Sequence, residues 1–389
     1  MGSLRQLATG GAPIVLLESI AFLVRKVFLK PILLLRVIVI FVISLSLASC
    51  QSALRLNEIQ VVGSHNSFKQ PIEPQVMALI AATDANLAAS LDYSHPALSA
   101  QLNAGIRKVE LDVFYDPKGG LYQSPQGLSL APGAKPYDTQ SLALPGFKVM
   151  HIQDIDFRSH CPELRDCLRQ LAAWSSEQPN HLPIFITINP KDGAIDLPGF
   201  VKPLAFDDQA WLDLDQELRN SLGNQLFTPD EFRGTLASLP AAVKRGWPKL
   251  TEMRGRFIVV LDARATHIED YINGHPVLMG RAMFANAREG TPEAAIRIIN
   301  DPVADFDLIQ GLVKQGYIVR TRSDADTREA RTGDSTRRDR AFASGAHIIS
   351  TDYYLPDPRF SPVFKVALPD GVVARCNPVS RPEACTIEP

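Results

Sequence analysis

The sequence predicts a (β/α)8 barrel of the TIM type for most of its 389 residues. Short β-branched or apolar runs alternate with segments of helical spacing, which indicates a parallel sheet with crossover helices. The alternation yields eight candidate strands over roughly 300 residues, the length at which such units close into a barrel. Polar residues also follow the ends of most candidate strands, where enzymes of this architecture carry their active sites.

The candidate strands and helices follow from local patterns in the sequence. The strands are the runs Ile59–Gly63, Lys108–Phe114, Lys148–His151, Ile184–Ile188, Phe257–Leu261, Arg281–Phe284, Tyr317–Thr321 and Ile348–Ser350. The helical patterns are Ala97–Ala104, Glu163–Ser176, Gln209–Leu222, Ala294–Asn300, Phe306–Lys314 and Arg337–Ser344. Pro125–Pro145 is rich in Pro, Gly and Ser, so we expect it to form an excursion loop.

The first 49 residues have the features of an export signal. Val37–Ala48 is an unbroken apolar or small-residue run that follows basic residues. It is shorter than the roughly 20 residues that a membrane-spanning helix needs, and it is typical of a signal-peptide core. The run ends in Leu47-Ala48-Ser49-Cys50, which resembles the lipobox of bacterial lipoproteins and predicts that Cys50 is lipidated. The alternatives are an ordinary membrane anchor, or an imperfect membrane hairpin over residues 13–47.

These features divide the chain into four parts. We expect a lipoprotein signal peptide over residues 1–49, a lipidated tether over 50–56, a barrel over 57–356 and an irregular extension over 357–389. The mature protein would then be exported and held at a membrane as a lipoprotein, either in the periplasm or at the cell surface.

The charge distribution narrows the range of partners. Residues 1–49 contain five basic residues and one acidic residue, so the remaining chain has a net charge of −6 within the total of −2. A mildly acidic body argues against nucleic acid as a partner, because a phosphate backbone needs a basic face. No protein partner can be read from the sequence.

Four cysteines follow Cys50, in the close pairs Cys161/Cys167 and Cys376/Cys385. An even number of cysteines in an exported chain predicts disulfide bonds. Local pairing is the simplest of the three connectivities that four cysteines allow. A metal site is the weaker alternative, because no His or Cys lies at ligand spacing around either pair.

Two carboxylates lie close together on the second candidate strand. Glu110 and Asp112 are two residues apart, so they share one face of the strand, while the apolar residues around them take the other face. Two carboxylates in the barrel mouth repel each other unless a cation lies between them. Oxygen ligands favour calcium or magnesium. The alternative is a pair of inward salt bridges, to Lys108 or to an arginine.

Two histidines end different candidate strands near these carboxylates, His65 after the first and His151 after the third. Paired imidazoles suit phosphodiester cleavage, because one takes a proton from the nucleophile while the other assists the leaving alkoxide or the transition state. The remaining histidines lack this setting, and we interpret them as surface or structural groups: His95, His160, His181, His267, His275 and His347.

The order of these motifs resembles that of a known family. Gly63-Ser64-His65-Asn66-Ser67-Phe68, then Val109-Glu110-Leu111-Asp112-Val113, then a histidine after the third strand is the order in the catalytic domain of phosphoinositide-specific phospholipase C. The fuller pattern is similar to the bacterial and fungal calcium-dependent branch over roughly Leu56–Pro356. It includes His151–Arg158, Arg320–Thr327 and Gly345–Asp352.

The resemblance implies a two-histidine, metal-assisted cleavage of phosphatidylinositol-type phospholipids. His65 would be the general base on the inositol 2-hydroxyl, whose attack on its own phosphate gives a cyclic phosphoinositol and diacylglycerol. His151 would stabilise the transition state or assist the leaving group. Asn66, Glu110 and Asp112 would bind Ca²⁺, which lowers the pKa of the hydroxyl and offsets developing charge.

Further residues would complete the site. Lys191, Arg320 and Arg322 would neutralise phosphate groups, with ordinary salt bridges at the barrel rim as the alternative. One position departs from the family pattern, because the animal enzymes have a glutamate metal ligand at the end of the fourth strand and this chain has Asn189. An asparagine ligates through its carbonyl oxygen but brings no charge, so we expect either a lower affinity for calcium or compensation by Asp154 or Asp192.

Two other functions remain as alternatives. A glycerophosphodiester phosphodiesterase uses the same barrel, a Glu-x-Asp pair and two histidines, but its first histidine is usually followed by Arg and Gly, whereas Asn66 and Ser67 follow here. A lipoprotein that binds phospholipid headgroups without catalysis would be consistent with Asn189, but the retained pair of His65 and His151 argues against it. The sequence does not identify the headgroup.

Overall fold

The computed structural model describes residues 54–383, 385 and 387. The predicted signal peptide and Cys50 lie outside the described residues. None of the described helices is long and apolar enough to cross a membrane.

The strands form one sheet that curves into a nearly closed barrel. In chain order they are β1 (Ile59–Ser64), β2 (Lys108–Asp116), β3 (Gly146–Val149), β4 (Ile184–Pro190), β5 (Phe257–Leu261), β6 (Phe284–Ala285), β7 (Ile296–Ile298), β8 (Ile318–Arg322), β9 (Ile348–Thr351) and β10 (Ala374–Cys376). Eight strands run parallel in the order β6-β5-β4-β2-β1-β9-β8-β7. β6 and β7 lie next to each other without sharing a ladder. The predicted parallel barrel is therefore confirmed.

Helices flank the strands and fill the connections. They are α1 (Pro74–Thr83), α2 (Ala85–Leu91), α3 (Leu98–Asn103), α4 (Gln126–Leu130), α5 (Leu164–Glu177), α6 (Asp208–Leu222), α7 (Pro229–Arg233), α8 (Leu239–Arg245), α9 (Leu250–Met253), α10 (Ala265–Ile272), α11 (Phe306–Lys314), α12 (Arg328–Thr332) and α13 (Thr336–Ala343). The helix predicted over Phe306–Lys314 has those bounds in the structure, and the other predicted helices agree closely with one exception.

The exception concerns one predicted helix that forms a barrel strand, and one predicted barrel strand that lies outside the parallel barrel. The helix predicted over Ala294–Asn300 is wrong, because this segment contains barrel strand β7, which pairs in parallel with β8. Buried apolar residues at 294, 295, 298 and 299 imitate helical spacing over a stretch too short to reveal its true period. The predicted third strand, Lys148–His151, corresponds to β3, which pairs antiparallel with β2 as a hairpin arm and not as a barrel strand. His151 lies two residues beyond the end of β3.

Strand β2 carries the two faces that its sequence predicts. Val109, Leu111 and Val113 are fully buried in the hydrophobic core. Glu110 and Asp112 alternate with them and therefore point into the barrel, where they are also buried. This geometry brings both carboxylates to the site end of the barrel interior.

The cysteines pair locally as predicted. Cys161–Cys167 lies at the start of α5, and Cys376–Cys385 closes the C-terminal segment. The predicted irregular extension contains one regular element, since β10 pairs antiparallel with β1. The remaining predicted domain boundaries stay predictions.

Candidate active site

His65 lies directly after β1, and its two ring nitrogens have different partners. Nδ1 is 2.9 Å from Oδ1 of Asp352 and 3.3 Å from the hydroxyl of Tyr93. Nε2 is 3.4 Å from Oε1 of Glu110. Burial lowers the pKa of His65 well below its ordinary value, and the nearby Arg322 lowers it further. The imidazole is therefore held neutral near pH 7, with Nδ1–H donated to the carboxylate and Nε2 able to accept a proton.

Asp352 is the residue that orients His65, and it follows β9. Its Oδ2 is 3.3 Å from Nη2 of Arg322, and its backbone N–H donates to Oδ1 of Asp324 over 2.8 Å. Burial raises the pKa of Asp352, and Arg322 acts in the opposite direction. The sequence pattern placed Asp352 at the end of the last strand but assigned it no role, because its partner is distant in the chain.

His151 has a similar arrangement built from a local turn. Its Nδ1 is 2.7 Å from Oδ2 of Asp156, and the other oxygen of that carboxylate accepts a hydrogen bond from Nζ of Lys69 over 2.8 Å. Burial alone would raise the pKa of Asp156, but Lys69 and His151 outweigh it and the pKa is lowered. Asp156 therefore stays ionised and can stabilise a protonated His151. Sequence reasoning assigned no role to Lys69 or Asp156.

Glu110 was predicted to be a metal ligand, but its carboxylate is paired with cationic side chains of the protein itself. Its Oε2 accepts hydrogen bonds from Nζ of Lys108, from Nη2 of Arg320 over 2.8 Å and from Oγ1 of Thr187 over 3.2 Å. Burial would raise the pKa of Glu110, but Lys108, His65 and Arg320 together lower it well below its ordinary value. The salt-bridge alternative considered from the sequence is thus realised at this carboxylate.

Gly63 is required by the way Lys108 enters the barrel. A Cβ atom added to Gly63 would stand 2.5 Å from Cβ and 2.7 Å from Cδ of Lys108. No ordinary packing has carbon atoms this close, so the strand position next to Lys108 must be a glycine for the lysine to pass beside it and reach Glu110.

Asp112 has very different surroundings from Glu110. Both of its carboxylate oxygens are buried, and neither accepts a hydrogen bond of good geometry. Nζ of Lys191 lies 3.1 Å from Oδ2. Burial raises the pKa of Asp112 to about 6, and Lys191 counteracts part of that rise. A buried carboxylate without hydrogen-bond donors is costly, and a bound cation would satisfy it.

The residues around Asp112 fit a hard cation such as calcium. Asn189 is its direct neighbour on β4, so both side chains leave the same face of the sheet. Asn66 follows His65 in a left-handed conformation and donates its amide N–H to Tyr93 over 2.7 Å, which leaves the amide oxygen as a ligand. Within the described part of the chain, no three His, Cys, Asp or Glu side chains form a metal-binding group. The amide oxygens are therefore needed for the site.

The three predicted phosphate-binding cations do not share one environment. Arg320 is only 2% exposed and lies between Glu110 and Asn300, below the mouth. Lys191, 28% exposed, and Arg322 lie nearer the surface, beside Asp112 and Asp352 respectively. Lys191 and Arg322 are thus the better candidates for contact with a phosphate.

A cavity of about 780 Å³ opens beside Tyr93 and Asp352, the two side chains that contact Nδ1 of His65. It is lined by the α1–α2 hairpin, by Tyr93 and His95, and by the segment from Asp352 to Arg359. His95 was interpreted from the sequence as a surface or structural group. His95 is buried, and its Nε2 lies 2.8 Å from the carbonyl oxygen of His65, so it supports the loop that carries His65.

Two imidazoles, each hydrogen-bonded to a buried carboxylate at the mouth of a parallel barrel, define a phosphodiesterase type of site. The family model described as "Phosphoinositide phospholipase C, Ca2+-dependent" matches residues 54–378. The chain therefore belongs to the calcium-dependent phosphoinositide phospholipase C family. No curated protein matches the sequence.

Solved bacterial structures share the fold. A calcium-dependent phosphoinositol-specific phospholipase C from Pseudomonas sp., in its apo form, superposes with a TM-score of 0.51 at 16% identity, over 84% of this chain and 96% of that chain. Its myoinositol complex gives a TM-score of 0.50 at 17% identity, over 84% and 97% of the two chains. A calcium-dependent phosphatidylinositol-specific phospholipase C from Streptomyces antibioticus gives 0.49 at 16% identity, over 78% and 96%.

Family membership decides between the functions considered from the sequence. The chain is an enzyme of the phospholipase C type, and calcium is the metal of its family. The glycerophosphodiesterase and the non-catalytic binding protein are set aside.

Proposed function

We propose that this enzyme cleaves phosphatidylinositol-type phospholipids to diacylglycerol and a cyclic phosphoinositol, with His65 as the general base. The observation that carries the proposal is the pairing of His65 with Asp352, which fixes Nδ1 as the donor and leaves Nε2 to accept the proton of the inositol 2-hydroxyl. The hydroxyl oxygen then bonds to phosphorus while the bond to the diacylglycerol oxygen breaks. Nε2 is also near Glu110, whose charge stabilises the imidazolium that forms.

His151 is proposed to protonate the departing diacylglycerol oxygen. Its Nδ1 is hydrogen-bonded to Asp156, which fixes the orientation of the ring and directs Nε2 away from that carboxylate. His151 is close enough to Asp112 and Asp352 to lower the pKa of both. His151, the proposed acid, and His65, the proposed base, therefore both act on the carboxylate of Asp352.

Asp112, Asn66 and Asn189 are the residues that we propose hold calcium, with Glu110 contributing mainly its charge. When bound, calcium would lower the pKa of the attacking hydroxyl and neutralise the phosphate. Lys191 and Arg322 would contact the phosphate oxygens from the rim of the barrel. Arg320 would instead hold Glu110 in place from below.

The surface beside the site suits a substrate that stays in a membrane. Helices α1 and α2 contain no Lys, Arg, Asp or Glu. Leu79 is 50% and Leu87 is 43% exposed on this hairpin, and Leu355 is exposed at the same cavity. These uncharged helices can rest on lipid through their exposed leucines while the headgroup enters the polar mouth.

Export and lipid anchoring are part of the same proposal. The Leu47-Ala48-Ser49-Cys50 sequence and the disulfide bonds support an exported protein whose diacylated Cys50 tethers it to a membrane. Cell fractionation tests this part. The native protein is expected in the membrane fraction, and a Cys50→Ser variant that remained equally membrane-bound would argue against lipidation.

The direct test measures release of water-soluble phosphoinositol from phosphatidylinositol by the chain from Gln51 onward, with calcium or with a chelator. We expect calcium-stimulated release that is lost in His65→Ala and retained in His275→Ala, a control at a half-buried histidine that follows α10 and lies outside the site. Release that survives chelation would contradict the metal role of Asp112 and Asn189. Turnover of glycerophosphodiesters but not of phosphatidylinositol would refute the proposed substrate.

A further inference from the structure

Glu110 and Asp112, the two carboxylates that β2 directs into the barrel, each have a lysine beside them, but the two lysines are held in different ways. Lys108 is fully buried, and besides Glu110 its Nζ donates to the carbonyl oxygen of Ser64 over 3.0 Å and to Oγ of Ser350 over 3.2 Å. These three acceptors satisfy all three ammonium protons. Lys108 is therefore a permanent counter-ion that cannot leave without stranding a buried charge.

Lys191 stands beside Asp112 under much weaker constraints. Its Nζ is 3.1 Å from Oδ2 of Asp112, and in the described residues it makes no other ion pair. It follows β4 at the rim, and a cavity of about 240 Å³ lined by Asn189, Lys191 and Asp192 lies next to it. The long side chain therefore has both access to solvent and space to turn away from Asp112.

Lys191 and a calcium ion would use the same carboxylate. The buried oxygens of Asp112 need a positive partner, and Nζ of Lys191 lies 3.1 Å from Oδ2. A divalent cation bound to these oxygens would repel an ammonium group at that distance. The two cations therefore compete for the carboxylate, and the doubly charged ion has the stronger attraction.

We infer that Lys191 is an exchangeable counter-ion of Asp112, which holds the carboxylate in the metal-free enzyme and is displaced when calcium binds. The inference rests on the proposed use of calcium at Asp112. Displacement turns the ammonium of Lys191 toward the mouth, where it meets the anionic phosphate of the substrate. Calcium and the phosphate ester should consequently favour each other's binding, because each stabilises the displaced position of Lys191.

The test measures calcium binding by titration calorimetry on the full-length protein in detergent, at fixed ionic strength. Lys191→Met removes the charge and keeps the length of the side chain. We expect the variant to bind calcium about tenfold more tightly than the native protein, because no resident cation must be displaced. Lys202→Met, a control at an exposed lysine, should leave the affinity unchanged. Equal or weaker binding by Lys191→Met, or no calcium binding by either protein, would overturn the inference.

A second readout follows the coupling between the two ligands. Inositol 1-phosphate should increase the calcium affinity of the native protein, and this increase should be much smaller in Lys191→Met. If inositol 1-phosphate increased the calcium affinity equally in the native protein and in Lys191→Met, the inference that Lys191 is exchanged for calcium would also be overturned. The phosphatidylinositol assay separates the two proposals, since tighter calcium binding by the variant with no cleavage by the native protein would refute the proposed function and leave the exchange intact.

Discussion

Replacing Asp352 with Asn tests the orientation of the general base. The substitution keeps the size of the side chain and removes the negative charge of the carboxylate. Oδ1 of that carboxylate accepts a hydrogen bond from Nδ1–H of His65 over 2.9 Å. A hydrogen bond to a charged group contributes about 1.5–3 kcal/mol. The bond strengthens as His65 becomes protonated in the transition state, so its loss should lower kcat by about 10- to 150-fold. KM should change less than kcat, because Asp352 is proposed to act mainly through His65 and reaches the substrate only indirectly, through its contact with Arg322.

The assay is initial-rate cleavage of phosphatidylinositol at saturating calcium, with thermal unfolding measured in parallel. Asp326→Asn provides a matched control, because Asp326 is exposed in the loop after β8 and pairs with Arg328 at the surface. A folded Asp352→Asn enzyme with kcat within about threefold of the native value would refute the reasoning. A change confined to KM would refute it equally, because it would mean that Asp352 binds substrate.

Three further predictions address stability and membrane contact. Burial lowers the pKa of His347 to about 4, whereas a histidine in the unfolded chain has its ordinary pKa of about 6.5. The native protein should therefore lose stability as the pH falls from 6.5 towards 4, because protons bind preferentially to the unfolded state. His347→Gln should remove about 2 kcal/mol of that loss at pH 5, measured by chemical denaturation. Cys161→Ser/Cys167→Ser should lower the free energy of unfolding by about 2 kcal/mol, since the closed loop is short. Leu79→Ser/Leu87→Ser should weaken binding to phosphatidylinositol-containing vesicles by about tenfold in a sedimentation assay.

Each of these predictions has a clear contrary outcome. The His347 prediction fails if the native protein and the variant have parallel stability curves between pH 7 and pH 5. The disulfide prediction fails if the reduced and oxidised native protein unfold at the same denaturant concentration. For the hairpin, unchanged vesicle binding, with cleavage of short-chain soluble substrate also unchanged, would show that this surface does not contact lipid.

Local sequence patterns were sufficient for most of the barrel. The fifth strand, Phe257–Leu261, has in the structure the bounds predicted for it, because a buried β-branched run between turn residues has few other ways to fold. β7 was misassigned because three residues carry no periodicity that distinguishes a strand from a helical turn. The α1–α2 hairpin was not predicted either, since without charged residues it presents no amphipathic pattern.

The site residues likewise divide into those that a local pattern places and those that depend on distant parts of the chain. Glu110 and Asp112 could be placed in the barrel because strand alternation alone decides which face they take. The partner of His65 could not be identified, because Asp352 is 287 residues away along the chain and only barrel closure brings them together. Glu110 and Asp112 also differ in their cationic partners, which are Arg320 for Glu110 and Lys191 for Asp112. The sequence does not specify the packing between strands that brings these cations to the carboxylates.

The contact between Gly63 and Lys108 has a consequence for how this barrel can diverge. The atom nearest to a side chain at position 63 would be Cβ of residue 108, at 2.5 Å, and the backbone oxygen of residue 108 would stand 3.0 Å away. Every residue except glycine carries both atoms, so loss of the lysine alone would not free position 63. The glycine should therefore persist in descendants of this barrel that have replaced the lysine, and a descendant with a side chain at 63 should be missing from the evolutionary record.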